Sequence, residues 1–218
     1  PRSTLFPYTT LFRSNFTINT VHQATGVPLP TQAAALLLIE VDGHPTVVEE
    51  EYRAVQEICA RNCGNITLAN THEEREAMWE GRRKALSSLA RLRPTLVLED
   101  ATVPRSKLPA FLQALEDIKN KYNVTIGTFG HAGDGNLHPT ILCDKRDAAE
   151  MERVHRAVDE IFDVALRLDG TCSGEHGIGL AKQTYLVHEV GTGTIQYMKA
   201  IKQGVDPKNL LNPHKQAM

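Results

Sequence analysis

Two short segments hold the residue types that could do chemistry. The first, Gly130-His131-Ala132-Gly133-Asp134-Gly135-Asn136-Leu137-His138, sets two histidines on either side of a glycine turn, where the strands of a hairpin would bring both imidazoles toward one point. The second, Gly170-Thr171-Cys172-Ser173-Gly174-Glu175-His176-Gly177-Ile178-Gly179, holds a carboxylate and an imidazole side by side in a loop rich in conformationally permissive glycine. Taken together, His131, His138 and Glu175 make a two-histidine, one-carboxylate set, the donor set of divalent-metal sites that keep a position open for substrate. His176 is left to move protons, because an imidazole ordinarily titrates near neutrality. The competing readings are two surface histidines beside a turn and a plain glycine-rich connector. No HExxH-type local motif is present, so the spacing alone does not choose between them. GEHGIG does not follow G-x-G-x-x-G, no Walker A motif occurs, and the chain shows no nucleotide cofactor site of its own.

The elements that must position these residues are legible from periodicity. Strands are expected at Ala34–Val41, largely buried, at Thr95–Leu98, near 124–129 and near 137–142, the last two forming a hairpin, with Ile66–Leu68 as a further short candidate. Helices are expected over about 47–63, with an apolar face of Val48, Tyr52, Val55, Ile58 and Cys59, and from a Thr71/Glu74 capping box through Trp79 toward Leu89. Another should follow Pro104 and Pro109, carrying Leu112, Leu115 and Ile118, and a long one should run over about 147–168, closed by Gly170. The remainder reads as helical or irregular. Alternating elements with a predicted hairpin point to an α+β fold: an antiparallel sheet with helices packed on one face, plus a helical C-terminal segment.

Composition narrows the function classes. The 218 residues carry 24 Lys and Arg against 26 Asp and Glu, scattered rather than in runs, so neither a nucleic-acid footprint nor an anionic-membrane patch is expected and a small molecule is the expected partner. No stretch reaches the roughly 20 apolar residues of a membrane-spanning helix. Cys59, Cys63, Cys143 and Cys172 fit neither a zinc ribbon nor a disulfide framework and read as reduced thiols of a cytoplasmic protein. The opening residues 1–14 lack signal-peptide features and resemble translated sequencing-adapter read-through. The expectation is therefore a domain over 15–218, with the native start lying upstream.

In the segments GHAGDGNLHP, TCSGEHGIG, WEGRR at Trp79, EDATVP at Glu99 and DPKNLLNP at Asp206, all in the expected order between Leu29 and Lys215, the chain resembles the C-terminal domain of FAD-linked oxidases of the vanillyl-alcohol oxidase type. Within that family the resemblance is to the D-lactate dehydrogenase and glycolate oxidase flavin subunits. It implies a ferredoxin-like sheet that covers a flavin held by a separate N-terminal FAD-binding domain. It also implies a divalent metal (Zn, Mn or Fe) on His131, His138 and Glu175, and His176 as the general base. Arg82, the arginine of W-x-x-R, would grip the substrate carboxylate, and Asn136, Glu175 and Asn212 would lie near flavin or substrate. The reaction implied is oxidation of a small 2-hydroxy acid, D-lactate or glycolate, by hydride transfer to FAD, with an electron-acceptor subunit as a further partner through which the protein could meet a membrane.

Two departures bear on this. Leu98 and Glu99 stand where relatives acting on D-2-hydroxyglutarate carry a lysine, which favours a monocarboxylate. His214 follows Pro213 where the family has glycine. The alternative from a different class is a stand-alone metal-binding or hydrolytic domain, which would need no flavin.

Overall fold

The computed structural model describes residues 8–13, 15–62 and 65–215. The chain divides into two units, one formed by residues up to Pro94 together with Gly127–Gly133, the other by Thr95–Ile126 together with the chain from Asp134 onward. Helix and antiparallel sheet are mixed in both, as the element pattern predicts.

In the first unit, strand β1 (Tyr8–Arg13) pairs antiparallel with β2 (Ala35–Glu40) on one side and with β5 (Thr125–His131) on the other. Residues 8–13, left outside the fold on sequence grounds, are thus a paired strand. Residues 1–7 and 14 lie outside the described residues. Helix α1 (Asn15–Thr25), which carries no strong sequence signal, buries Ile18 and Val21, and α4 (Ala85–Leu89) buries Ala85 and Leu89. Burying an aliphatic side chain of this size removes enough apolar surface from water to contribute about 1.5–3 kcal/mol.

Helix α2 (Pro45–Asn62) forms where predicted but has no buried residue: Val48, Tyr52, Val55 and Cys59 are half-buried and Ile58 is exposed. The β2 strand is likewise half-buried rather than largely buried, since it stands at the end of the strand order with one paired neighbour. Ile66 to Leu68 is exposed and belongs to no ladder. Helix α3 (His72–Arg83) begins with the predicted capping box, Thr71 Oγ1 accepting from the Glu74 amide and Glu74 accepting from the Thr71 amide. It stops at Lys84 instead of running on, and α4 starts afresh.

In the second unit, β6 (Asn136–Cys143) pairs antiparallel with β3 (Thr95–Leu98) and with the two-residue β4 (Ala101–Thr102). Between β3 and β4 the Glu99 amide donates to the Pro139 carbonyl, but Pro139 has no N–H to return the bond, so the ladder is interrupted there while its register continues. Helices α5 (Leu108–Tyr122) and α6 (Ala148–Arg167) cover a core of Phe111, Leu115, Ile118, Leu137, Ile141, Val154, Ile161 and Phe162. Asp147 caps α6 by accepting from the Glu150 amide. At its other end the left-handed residue is Asp169, one position before the expected Gly170. Gly170 is required for space instead, because a Cβ there would sit 2.2 Å from the Thr102 carbonyl oxygen. Helix α7 (Gln183–Val205) is broken by Gly191, at φ 75° and ψ 162°. Among the described residues no helix is long and apolar enough to cross a membrane. Cys143 and Cys172 are buried, Cys59 is half-buried, and Cys63 lies outside the described residues.

Candidate functional site

The register of the second unit builds one polar sheet face. Thr102 pairs with Asn136 and Leu98 with Thr140, and the same register between them sets Asp100 opposite His138. Paired residues of an antiparallel ladder project to the same side, and alternate residues share a face. Asp100, Thr102, Asn136, His138 and Thr140 therefore occupy one face, all buried or nearly so, while Ala101, Leu137 and Ile141 point into the apolar core.

The glycine-rich loop lies along β4. Thr102 and Thr171 exchange both backbone hydrogen bonds, at 3.2 and 2.8 Å, and a Cβ on Gly174 would come within 2.3 Å of Thr102 Oγ1 and 2.6 Å of Asn136 Cγ. Glycine at 174 is the residue that lets the loop close over this face. The turn before β6 is held similarly: Gly135 has φ +85°, its carbonyl accepts from the Val103 amide, and a Cβ there would meet the Val103 carbonyl oxygen at 2.0 Å.

Four side chains converge as a result. Asp100, His138, Glu175 and His176 each offer a ligand atom within 4.8 Å of all the others. Glu175 Oε1 lies 3.1 Å from His138 Nε2 and 3.9 Å from His176 Nε2, and the two imidazoles stack with centroids 5.1 Å apart and planes 8° from parallel. His138 is buried, whereas Glu175 and His176 are about half exposed, so the cluster has a protein side and an open side. Such a set of imidazole nitrogens and carboxylate oxygens offers the atoms that could hold a divalent ion.

Asp100 is the member that sequence reasoning left unassigned. Burial pushes its pKa up, but hydrogen bonds from the His176 and Glu175 amides and from Ser173, together with the nearby Lys182, outweigh that and hold it at about 2. Its neighbour Glu99 is shifted the other way, raised by burial and by Asp100 and only partly offset by Lys182. The Cys172 thiol is pushed up to about 12 by burial and by its hydrogen bond to Glu189, which leaves it protonated and unsuited to be a nucleophile.

The remaining sequence candidates are placed as follows. Asn136 is buried beneath Gly174, with its amide directed at the loop. Asn212 is exposed in the C-terminal turn, with φ 48°. His131 and Arg82 belong to the first unit. There Arg82 Nη2 is 3.5 Å from His131 Nε2 and the guanidinium lies 5.7 Å from the centroid of the Phe129 ring.

Fold and site define a mixed α and antiparallel-β protein that presents a histidine–carboxylate cluster on a buried polar sheet face under a glycine loop. Residues 2–216 match the family model described as FAD linked oxidases, C-terminal domain, and the chain belongs to that family. It is 47% identical over 212 residues to the glycolate oxidase subunit GlcD of Bacillus subtilis (strain 168), covering 97% of this chain and 45% of that protein. It is also 38% identical over 182 residues to the probable mitochondrial D-lactate dehydrogenase of Danio rerio, covering 82% of this chain and 37% of that protein. The chain therefore spans less than half the length of these curated relatives. Among solved structures, p-cresol methylhydroxylase with substrate bound superposes with a TM-score of 0.65 at 14% identity, over 96% of this chain and 46% of that one, which establishes likeness of fold.

Proposed function

We propose that this chain is the substrate-binding, C-terminal half of an FAD-dependent oxidoreductase that converts a small 2-hydroxy acid, D-lactate or glycolate, to the 2-oxo acid, working with an FAD-binding half and passing electrons to an acceptor partner. The observation that carries the reading is the convergence of His138, Glu175 and His176 on one polar face in a member of this family. The family relation favours this over a flavin-independent hydrolase.

Bound FAD would supply the hydride acceptor for the substrate α-carbon. A divalent ion held by His138 and Glu175 would supply a Lewis acid for the substrate oxygen, and their spacing of 3.1 Å in a cluster open on one side fits such an ion. The chain's own work is proton transfer and orientation. His176, half exposed and stacked on His138, is the group that accepts the substrate hydroxyl proton at Nε2, with the Glu175 carboxylate beside it to stabilise the imidazolium that results. The buried His138 keeps that pair in place. Two further assignments rest on motif resemblance: His131 as the third metal ligand, and Arg82 as the grip on the substrate carboxylate through two parallel hydrogen bonds.

The test is anaerobic mixing of the chain joined to its FAD-binding half with D-lactate, glycolate and D-2-hydroxyglutarate while the flavin absorbance is followed. Bleaching by D-lactate or glycolate is the expected result, with D-2-hydroxyglutarate the poorer substrate. A bound flavin that no 2-hydroxy acid reduces would overturn the substrate class and the roles of His176 and Arg82.

A further inference from the structure

The proposed chemistry uses Glu175 and His176 but leaves open what holds two half-exposed loop residues against a buried histidine. Asp100, fully buried, is placed to do so. Its Oδ2 accepts from Ser173 Oγ at 2.9 Å, from the Glu175 amide at 3.1 Å and from the His176 amide at 2.9 Å, and Ser173 Oγ accepts in turn from the Gly177 amide at 2.7 Å. One carboxylate oxygen thus gathers the loop from Ser173 to Gly177. Lys182 reaches the same residue from the start of α7. Its buried ammonium donates to the Asp100 carbonyl at 2.9 Å, lies 3.6 Å from Oδ2, and stands 5.0 Å from the centroid of the Phe162 ring.

We propose that Asp100 is the positioning residue of the site: through Oδ2 it anchors the backbone of Glu175 and His176 so that their side chains converge on His138, with Lys182 as the buried counter-charge that makes the anchor tolerable. The inference rests on the reading of Glu175 and His176 as the working pair. Hydrogen bonds to an ionised acceptor are shorter and about twice as strong as neutral ones, so three of them impose a conformation that the loop's glycines alone would not hold. A carboxylate is rarely buried completely unless paired, and here the pairing is with the loop and Lys182. Finally, the ladder register sets Asp100 opposite His138, so the anchor and the buried histidine share one rigid strand pair and the loop inherits its position from the sheet. Oδ2, taken up by three donors, acts on the cluster's geometry, while Oδ1 is buried without a hydrogen-bond partner, so the experiment must separate anchoring from ligation.

Amide hydrogen exchange of residues 173–177 and Co²⁺ titration followed by absorption, both on the full chain, test this with Asp100→Ala, Ser173→Ala and Lys182→Met. In Asp100→Ala the Glu175 and His176 amides should exchange at least about tenfold faster while the β6 amides stay protected, and Co²⁺ should bind about 10- to 100-fold more weakly, the usual effect of losing a group that orients ligands. Ser173→Ala removes one donor and leaves Asp100 in place, so it should show the same changes to a smaller extent even if Asp100→Ala does not fold. Lys182→Met should loosen the same amides. Unchanged exchange at Glu175 and His176 in both Asp100→Ala and Ser173→Ala would overturn the proposal. Loss of Co²⁺ with unchanged exchange would also overturn it, making Asp100 a ligand. If the unaltered chain takes up no Co²⁺, the metal assignment fails, while the exchange measurement still decides the role of Asp100.

Discussion

Two histidines seven residues apart in one motif live in different surroundings. His131, in the first unit, is half-buried beside the Arg82 guanidinium. His138, in the second, is buried against a carboxylate and stacked on a second imidazole, over a sheet face whose neighbouring carboxylate is tied down by backbone amides. An arginine disfavours added positive charge close by, whereas carboxylates favour it. Equal standing in a sequence motif therefore does not imply equal standing in a site. The surroundings of His138 suit it to hold a cation, and His131, with the Arg82 guanidinium beside it, is the weaker of the two proposed ligands.

The sharpest way to break this comparison is to remove each histidine in turn. His138→Ala should abolish metal retention by the chain, and His131→Ala should weaken it without abolishing it, as elemental analysis after dialysis would show. Equal loss in both variants would make the two surroundings equivalent in function, and metal retained in His138→Ala would remove the ligand assignment altogether.

Next in size is the turn that separates the two. Gly135→Ala demands a positive φ of an alanine and drives its Cβ into the Val103 carbonyl, so it should destabilise the protein by roughly 2–4 kcal/mol, combining backbone strain with a steric clash. Urea unfolding checks this, and a midpoint near that of the unaltered protein would show that the turn is not held as tightly as its contacts imply.

A third contrast is electrostatic. Three carboxylates held below the ordinary range lie in the second unit. These are Asp100, then Glu160 through hydrogen bonds from Lys121 and Tyr122, and Asp206 through Lys202 and the Leu210 and Leu211 amides. For Asp100 the stabilisation is fully present above its ordinary value of 3.8. It is lost as pH falls toward 2, because the unfolded chain then takes up a proton that the folded one resists, a change on the order of 2 kcal/mol. Unfolding measured between about pH 5 and pH 2.5 should show a steeper acid loss in the unaltered chain than in Asp100→Ala, and parallel curves would contradict the assignment.

The smallest expected effect belongs to the first unit. Thr71→Ala opens the capping box of α3 and should cost about 1 kcal/mol, read as a lowered melting temperature, and an unchanged melting temperature would show that the cap contributes nothing to stability.

How much could be read in advance follows from the range of the interactions. The α5 and α6 helices, the β3, β5 and β6 strands and the Thr71 cap were legible because periodicity and capping are local properties of a few consecutive residues. Helix α1 and the two-residue β4 were not, since one has a weak apolar pattern and the other exists only through its partner strand. Ile66 to Leu68 carries strand-forming residues but finds no ladder, which shows tertiary context overriding propensity.

The chemistry-bearing residues were likewise visible as types: His131, His138, Glu175 and His176 stand out by kind and by their glycine-rich settings. Their motifs also pointed to the family that the whole chain then matched. The tertiary structure decided which of them meet, and it brought in two residues to which the sequence assigned no role, Asp100 inside EDATVP and Lys182. Asp100 and Lys182 are 82 positions apart and join only because β4 pairs with β6 and the 170–177 loop folds back along β4. Sequence alone determined the candidates and the elements that carry them, since residue type and periodicity are local. The arrangement of the site was left to the fold, because strand register and buried charge pairing depend on residues that are distant along the chain and adjacent in space.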